Sequence, residues 1–150
     1  MDHDTFRDAR RAINPQPCPF EKAILAQCCD CSLAVRHSIS ERETVACSSQ
    51  SARGSCATLR DLLRRNSLFA LKIPPGEPVP HAKEMKVMCG GLQGLQQLME
   101  PADGTAADGS ASDVRSLVLA AAQRFGALDA LPFSKLMPAV AAFEARQRRR

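Results

Sequence analysis

Seven cysteines stand in this chain of 150 residues, at the spacing C-x9-C-C-x-C-x15-C-x8-C-x32-C: Cys18, Cys28, Cys29, Cys31, Cys47, Cys56 and Cys89. Four of them fall inside the single stretch CPFEKAILAQCCDC. Free cysteine is a small and usually buried apolar residue, which accounts for one or two of the seven. It does not account for Cys28, Cys29 and Cys31 around Asp30, because adjacent positions cannot share one helix face. Four chemistries remain: a disulfide framework, a single metal ion, an iron-sulfur cluster, or a nucleophilic thiol.

Disulfides are the weakest of these. The N-terminal MDHDTFRDARRAINPQP is charged throughout and has no apolar segment of an export signal, so the expected compartment is the reducing cytoplasm, where structural disulfides are rare. Zinc has partial support. Cys28 and Cys31 form a C-x2-C knuckle and Cys47 follows after fifteen intervening residues, but a second tight pair is missing and the next thiol, Cys56, comes after eight more. His37 lies inside that loop as an alternative ligand.

An iron-sulfur cluster of the [4Fe-4S] kind tolerates irregular spacing better, because it brings its own sulfides and is commonly held by four thiolates. Thiolate sites lacking His are also where clusters and soft metals are expected. The expected set is Cys18, one of the triplet (Cys29 or Cys31 first, with Cys28 as a further candidate), Cys47 and Cys56. Cys89 could complete the site. In VMCGGLQGL it stands where a strand would meet a Gly-Gly turn and a helix start, and the amides of Gly90 and Gly91 could then point at an anionic cofactor. The competing explanation is that these glycines only permit a sharp turn.

A thiol-dependent enzyme is the third reading, with Cys89 as nucleophile, His81 or His37 as base and the Gly-Gly amides as oxyanion donors. No signature supports the pairing. GGLQG also lacks the Lys-Ser/Thr and the spacing of a phosphate loop.

The elements that must position these residues are mainly helical. Residues 1 to 16 read as a loose polar arm. FEKAILAQ and LAVRHSISERETVA carry helical composition, and SCATLRDLLRRN sets Leu59, Leu62 and Leu63 opposite Arg60, Arg64 and Arg65. LFALKI alternates like a strand and stops at PPGEPVP, and KEMKVMC offers a partner strand. GGLQGLQQLME begins a helix. Residues 101 to 113, PADGTAADGSASD, read as a linker. VRSLVLAAAQRFGAL and KLMPAVAAFEARQ then form a helical hairpin over 114 to 150, capped by Ser112 or Asp113 and by Ser134, with a kink allowed at Pro138.

The net charge of +4 resides in Arg146, Arg148, Arg149 and Arg150; without them acidic and basic residues balance at 16 each. Nucleic acid is therefore not an expected partner except through this tail, whose simpler explanation is a solvated helix end. No run reaches the ~18 apolar residues of a membrane span, so no membrane partner is expected.

The blocks CPFEKAILAQCCDCSLAVRHSISERETVAC, FALKI and KEMKVMCGGLQGL resemble small Cys-rich proteobacterial proteins. That resemblance covers about residues 17 to 99 and implies that this region is one unit, without implying a reaction. The expected fold is mainly α, α+β at most. A Cys-rich metal-binding domain at 17 to 100, with a short two-stranded element, precedes the C-terminal hairpin. The expected function is an iron-sulfur protein of electron transfer or redox sensing that works with a redox partner protein. The alternative is a structural zinc module that binds a protein or nucleic acid.

Overall fold

A computed structural model describes residues 3–99 and 113–144. The linker expectation, except for Asp113, and the arginine tail lie outside these residues. The elements in chain order are α1 (His3–Ile13), α2 (Glu21–Leu25), β1 (Ala34–Ile39), β2 (Arg42–Cys47) and α3 (Gln50–Ala70). They are followed by α4 (His81–Met85), a π turn (Lys86–Gly90), α5 (Gly91–Met99), α6 (Val114–Phe125), a 3-10 turn (Leu128–Ala130) and α7 (Phe133–Ala142). Among the described residues the fold is mainly helical with one two-stranded antiparallel sheet.

The longest helix, α3, organises the rest. Ser49 caps it by accepting from the Ala52 amide at 3.2 Å, satisfying one of the free N–H groups of the first turn. Its buried stripe is Ala52, Cys56, Leu59, Leu63 and Ser67, the spacing that keeps one face inward. α4, the π turn and α5 run without interruption from His81 to Met99 and cross this stripe. α7 lies against both the π turn and α5. A single hydrophobic core runs from Phe20 through Leu59, Leu92 and Val118 to Val140, so the C-terminal helices share the core of the Cys-rich part instead of hanging from it as an appendage.

Three expectations are corrected. The strands are not LFALKI and KEMKVMC but a hairpin in the stretch expected to be helical, pairing Ala34 with Cys47 through Ile39 with Arg42. Its two-residue turn is Ser40-Glu41, with Ser40 at φ 58, where glycine or asparagine normally signals a hairpin. LFALKI is instead the end of α3 and its cap. Lys72 takes φ 55, and the amides of Lys72 and Ile73 donate back to the carbonyls of Phe69 and Leu68 at 3.2 and 2.8 Å. This is a Schellman closure with lysine where glycine usually stands. α2 ends the same way: Gln27 has φ 62, and the Gln27 and Cys28 amides donate to Ile24 and Ala23 at 3.0 Å each.

The third correction concerns the N-terminal arm, which is helix α1 docked on the hairpin. Asn14 is buried and donates to Thr44 Oγ1 at 2.9 Å and to the Val45 carbonyl at 2.8 Å. The buried carboxylate of Glu21 accepts from the Val45 amide at 2.7 Å and from the Thr44 hydroxyl at 2.5 Å, and it pairs with Arg10. These bonds satisfy a set of polar groups that would be costly to bury unpaired.

A second carboxylate, Glu84 of α4, is almost fully buried and takes a forked pair of bonds from Arg64 of α3, with Nε at 3.0 and 3.2 Å from its two oxygens. Arg64→Ala should lower stability by about 3 kcal/mol, the low end for breaking a buried pair, because it leaves a buried carboxylate uncompensated while Arg64 itself is partly exposed. Arg64→Lys should recover only part, since the fork is lost. Urea unfolding of the two variants checks this order.

Candidate metal centre

Four cysteines from four separate chain segments line one cleft. Cys18 lies in the turn before α2, where its amide donates to the Val45 carbonyl at 2.9 Å and so holds the loop beside β2. Cys31 follows α2, in a turn closed by the Ala34 amide donating to its carbonyl at 3.1 Å and by its own amide donating to Asp30 Oδ1 at 2.8 Å. Cys47 ends β2, and its thiol donates to the Ser49 carbonyl at 3.2 Å. Cys56 sits on the buried stripe of α3.

The cleft is small and partly open to solvent. Its remaining wall is Pro19, Ile24, Ala34, Ala52 and Val114, with Arg53 and Arg115 also lining it. Arg53 is held by a bond from Nε to the Pro17 carbonyl at 3.1 Å. Arg115 is carried in by α6, whose start is fastened to the loop around Cys31. The Val114 amide donates to the Asp30 carbonyl at 2.9 Å, and the Ser32 amide donates to Asp113 Oδ1 at 2.8 Å while Asp113 caps α6. Burial pushes the Asp113 carboxyl up, but the bonds from Ser116 and Ser32 outweigh it and hold the group below its ordinary value.

In the metal-free chain two thiols of the cleft, Cys18 and Cys56, resist ionisation. Burial is the main reason that Cys18 is pushed up to about 11 and Cys56 up to about 12, and the neighbouring thiols add to both. Arg115 opposes the rise at Cys56. Four thiolates in one cleft without a cation would repel each other, so loading a metal must release protons. Both thiols hold their proton more tightly when folded than at the ordinary value of 9.0. Their contribution to stability is therefore complete below pH 9 and is lost as pH rises through the folded values. Under reducing conditions the urea midpoint of the metal-free protein should fall above about pH 9, and Cys18→Ala should flatten the fall.

The other three cysteines do not line this cleft, although Cys29 is near enough to Cys18 and Cys31 for their charges to act on it. Cys89 has no exposed surface and shares a side-chain hydrogen bond with Cys28. That bond, followed by burial, raises its thiol far above the usual range. Cys29 is buried next to Cys28, and burial raises it as well. Cys28, Cys29 and Cys89 are thus not on the wall of the cleft. From the triplet, the residue that lines it is Cys31.

The glycines after Cys89 serve packing. They lie within the continuous helix, not at a helix start, and the Gly91 amide donates to the Val87 carbonyl. A β-carbon on Gly90 would sit 2.6 Å from Val140 Cα, and one on Gly91 would sit 2.8 Å from Leu63 Cδ1. They let α7 and α3 approach, and they offer no free amides to an anion. A nucleophilic role for Cys89 loses its geometry too. His81 is exposed eight residues earlier on the helix, about 12 Å along its axis, and a buried thiol with a raised pKa is the reverse of an activated one. His37 lies in β1 opposite Thr44 and is not on the wall of the cleft.

Among the described residues, no group of three or more His, Cys, Asp or Glu side chains is drawn together tightly enough to hold a single metal ion. No described helix is long and apolar enough to cross a membrane. Comparison with protein-family models, with curated proteins and with solved structures finds no match to this chain.

Proposed function

We propose that this chain is an iron-sulfur protein of electron transfer or redox sensing, with Cys18, Cys31, Cys47 and Cys56 as the cluster ligands. The observation that carries the reading is the presence of four cysteines, from a turn, a second turn, a strand end and a helix, on the wall of one cleft. They line the same cleft, and among the described residues no three of them are gathered closely enough for a single ion. A single zinc ion needs ligands gathered at about 2.3 Å from one centre, whereas a cluster fills the space between thiolates with its own iron and sulfide.

Arg53 and Arg115 fit the same reading, because four thiolates give a cluster site a net negative charge that nearby cations offset. An apolar wall open on one side is the environment in which solvent access and charge tune a cluster's potential. The redox partner would dock over that open side. Seven free thiols accord with a reducing cytoplasm.

Anaerobic purification followed by an absorbance spectrum and metal analysis on one sample tests the proposal. The expected result is brown protein with iron matched by acid-labile sulfide. Colourless protein with about one zinc per chain would replace the proposal by the structural zinc module, and protein without bound metal would overturn both.

A further inference from the structure

We propose that Cys28 and Cys89 form a dithiol site that exchanges with low-molecular-weight disulfides and closes to a Cys28–Cys89 disulfide. The site is separate from the thiol cleft and does not depend on what that cleft holds. Three observations carry it. The two thiols are in hydrogen-bond contact, although 60 residues separate them in the chain. Each sits on an unusual piece of backbone: Cys28 follows Gln27 at φ 62 and completes the closure of α2, and Cys89 lies in the π turn. A π turn adds one residue to a helical turn and so rotates the side chains that follow onto another face.

The third observation is the difference in access. Cys28 is half-buried and Cys89 is fully buried, the arrangement of an attacking thiol and a resolving one. The Cys28 thiolate attacks one sulfur of the small disulfide and displaces the first small thiolate, which leaves the second half bonded to Cys28. Cys89 then gives up its proton and attacks the Cys28 sulfur, which releases the second half as a thiolate. The two protein thiol protons end on the two small thiols, and the small disulfide is the oxidant. The second step is intramolecular, so proximity compensates for the low acidity of a buried thiol. Closing this bond would tie the end of α2 to the π turn across a loop of the chain that includes α3.

The experiment is incubation of the full-length reduced protein with oxidised glutathione, then alkylation of the remaining thiols and peptide mapping by mass spectrometry. The expected product joins the Cys28 and Cys89 peptides and lowers the alkylated thiols by two. Cys89→Ser should stop at a glutathione adduct on Cys28, and Cys28→Ser should give neither adduct nor cross-link at Cys89. Cys28→Ser changes a half-buried position and keeps the test open if Cys89→Ser does not fold. Cross-linking of Cys29 to Cys89, cross-linking confined to the cleft cysteines, or no reaction at Cys28 would overturn the proposal. Metal content is read on the same Cys28→Ser sample. Its retention alongside loss of the cross-link separates this site from the cleft, and a metal-free protein that still forms the cross-link would fail the cluster reading alone.

Discussion

Cys56→Ser should abolish the visible absorbance of anaerobically purified protein and remove most of its iron and sulfide. Cys28→Ser should leave all three nearly unchanged. Cys56 projects from the buried stripe of α3 into the cleft, so no other thiol can take its place without moving the longest helix of the fold. Disturbing groups that only support metal ligands commonly costs ~10–100-fold in affinity, and loss of a ligand should exceed that. Serine preserves the volume, which keeps the effect on packing small. The comparison between Cys56 and Cys28 is the informative part. The cleft reading demands opposite results for the two, whereas a site built on the Cys28, Cys29 and Cys89 group would reverse them. Cys47→Ser should follow Cys56→Ser.

Gly90→Ala should destabilise the protein by about 3 kcal/mol, near the upper end of the cost of forcing extra volume into a packed core. Gly54→Ala should stabilise it by about 0.5–1 kcal/mol. Both glycines are helical, and alanine is the better helix former at each. They differ in what a methyl group meets. At Gly90 it would lie 2.6 Å from Val140 Cα and 2.8 Å from the Ala139 carbonyl oxygen, both backbone atoms that cannot swing aside. At Gly54 there is nothing within 4 Å. Chemical unfolding of the pair would show opposite shifts of the midpoint. Equal small shifts would mean that α7 does not sit on the π turn as described.

The amphipathic pattern of α3 was legible in the sequence because its leucines recur at helical spacing with arginines opposite. The hairpin was not. Its turn uses Ser40 and Glu41 in place of the glycine that marks such turns, and its charged exposed face resembles a helix surface. LFALKI misled for a related reason. Lys72 takes the left-handed conformation that ends α3, so the chain stops being helical without a glycine to announce it. α1 was hidden by its polarity, because what binds it to the hairpin includes buried hydrogen bonds from Asn14 and a part-buried one from Arg10.

Residue types and spacing by themselves determined that this chain is mainly helical, and they raised the clustered cysteines as candidate ligands. They also determined that Cys18, Cys47 and Cys56 belong in any ligand set to be weighed, since they stand apart from the ambiguous triplet. Only the tertiary structure put Cys31, and not Cys28 or Cys29, on the wall of the cleft. The left-handed turn at Gln27 sends Cys28 towards the π turn, and the loop fastened by Asp30 and Asp113 carries Cys31 to the cleft. The use of Gly90 and Gly91 was likewise decided by the helices that press on them. Local spacing records which side chains are near in the chain, but which of them share a cleft depends on contacts between segments tens of residues apart, and those exist only once the core has formed.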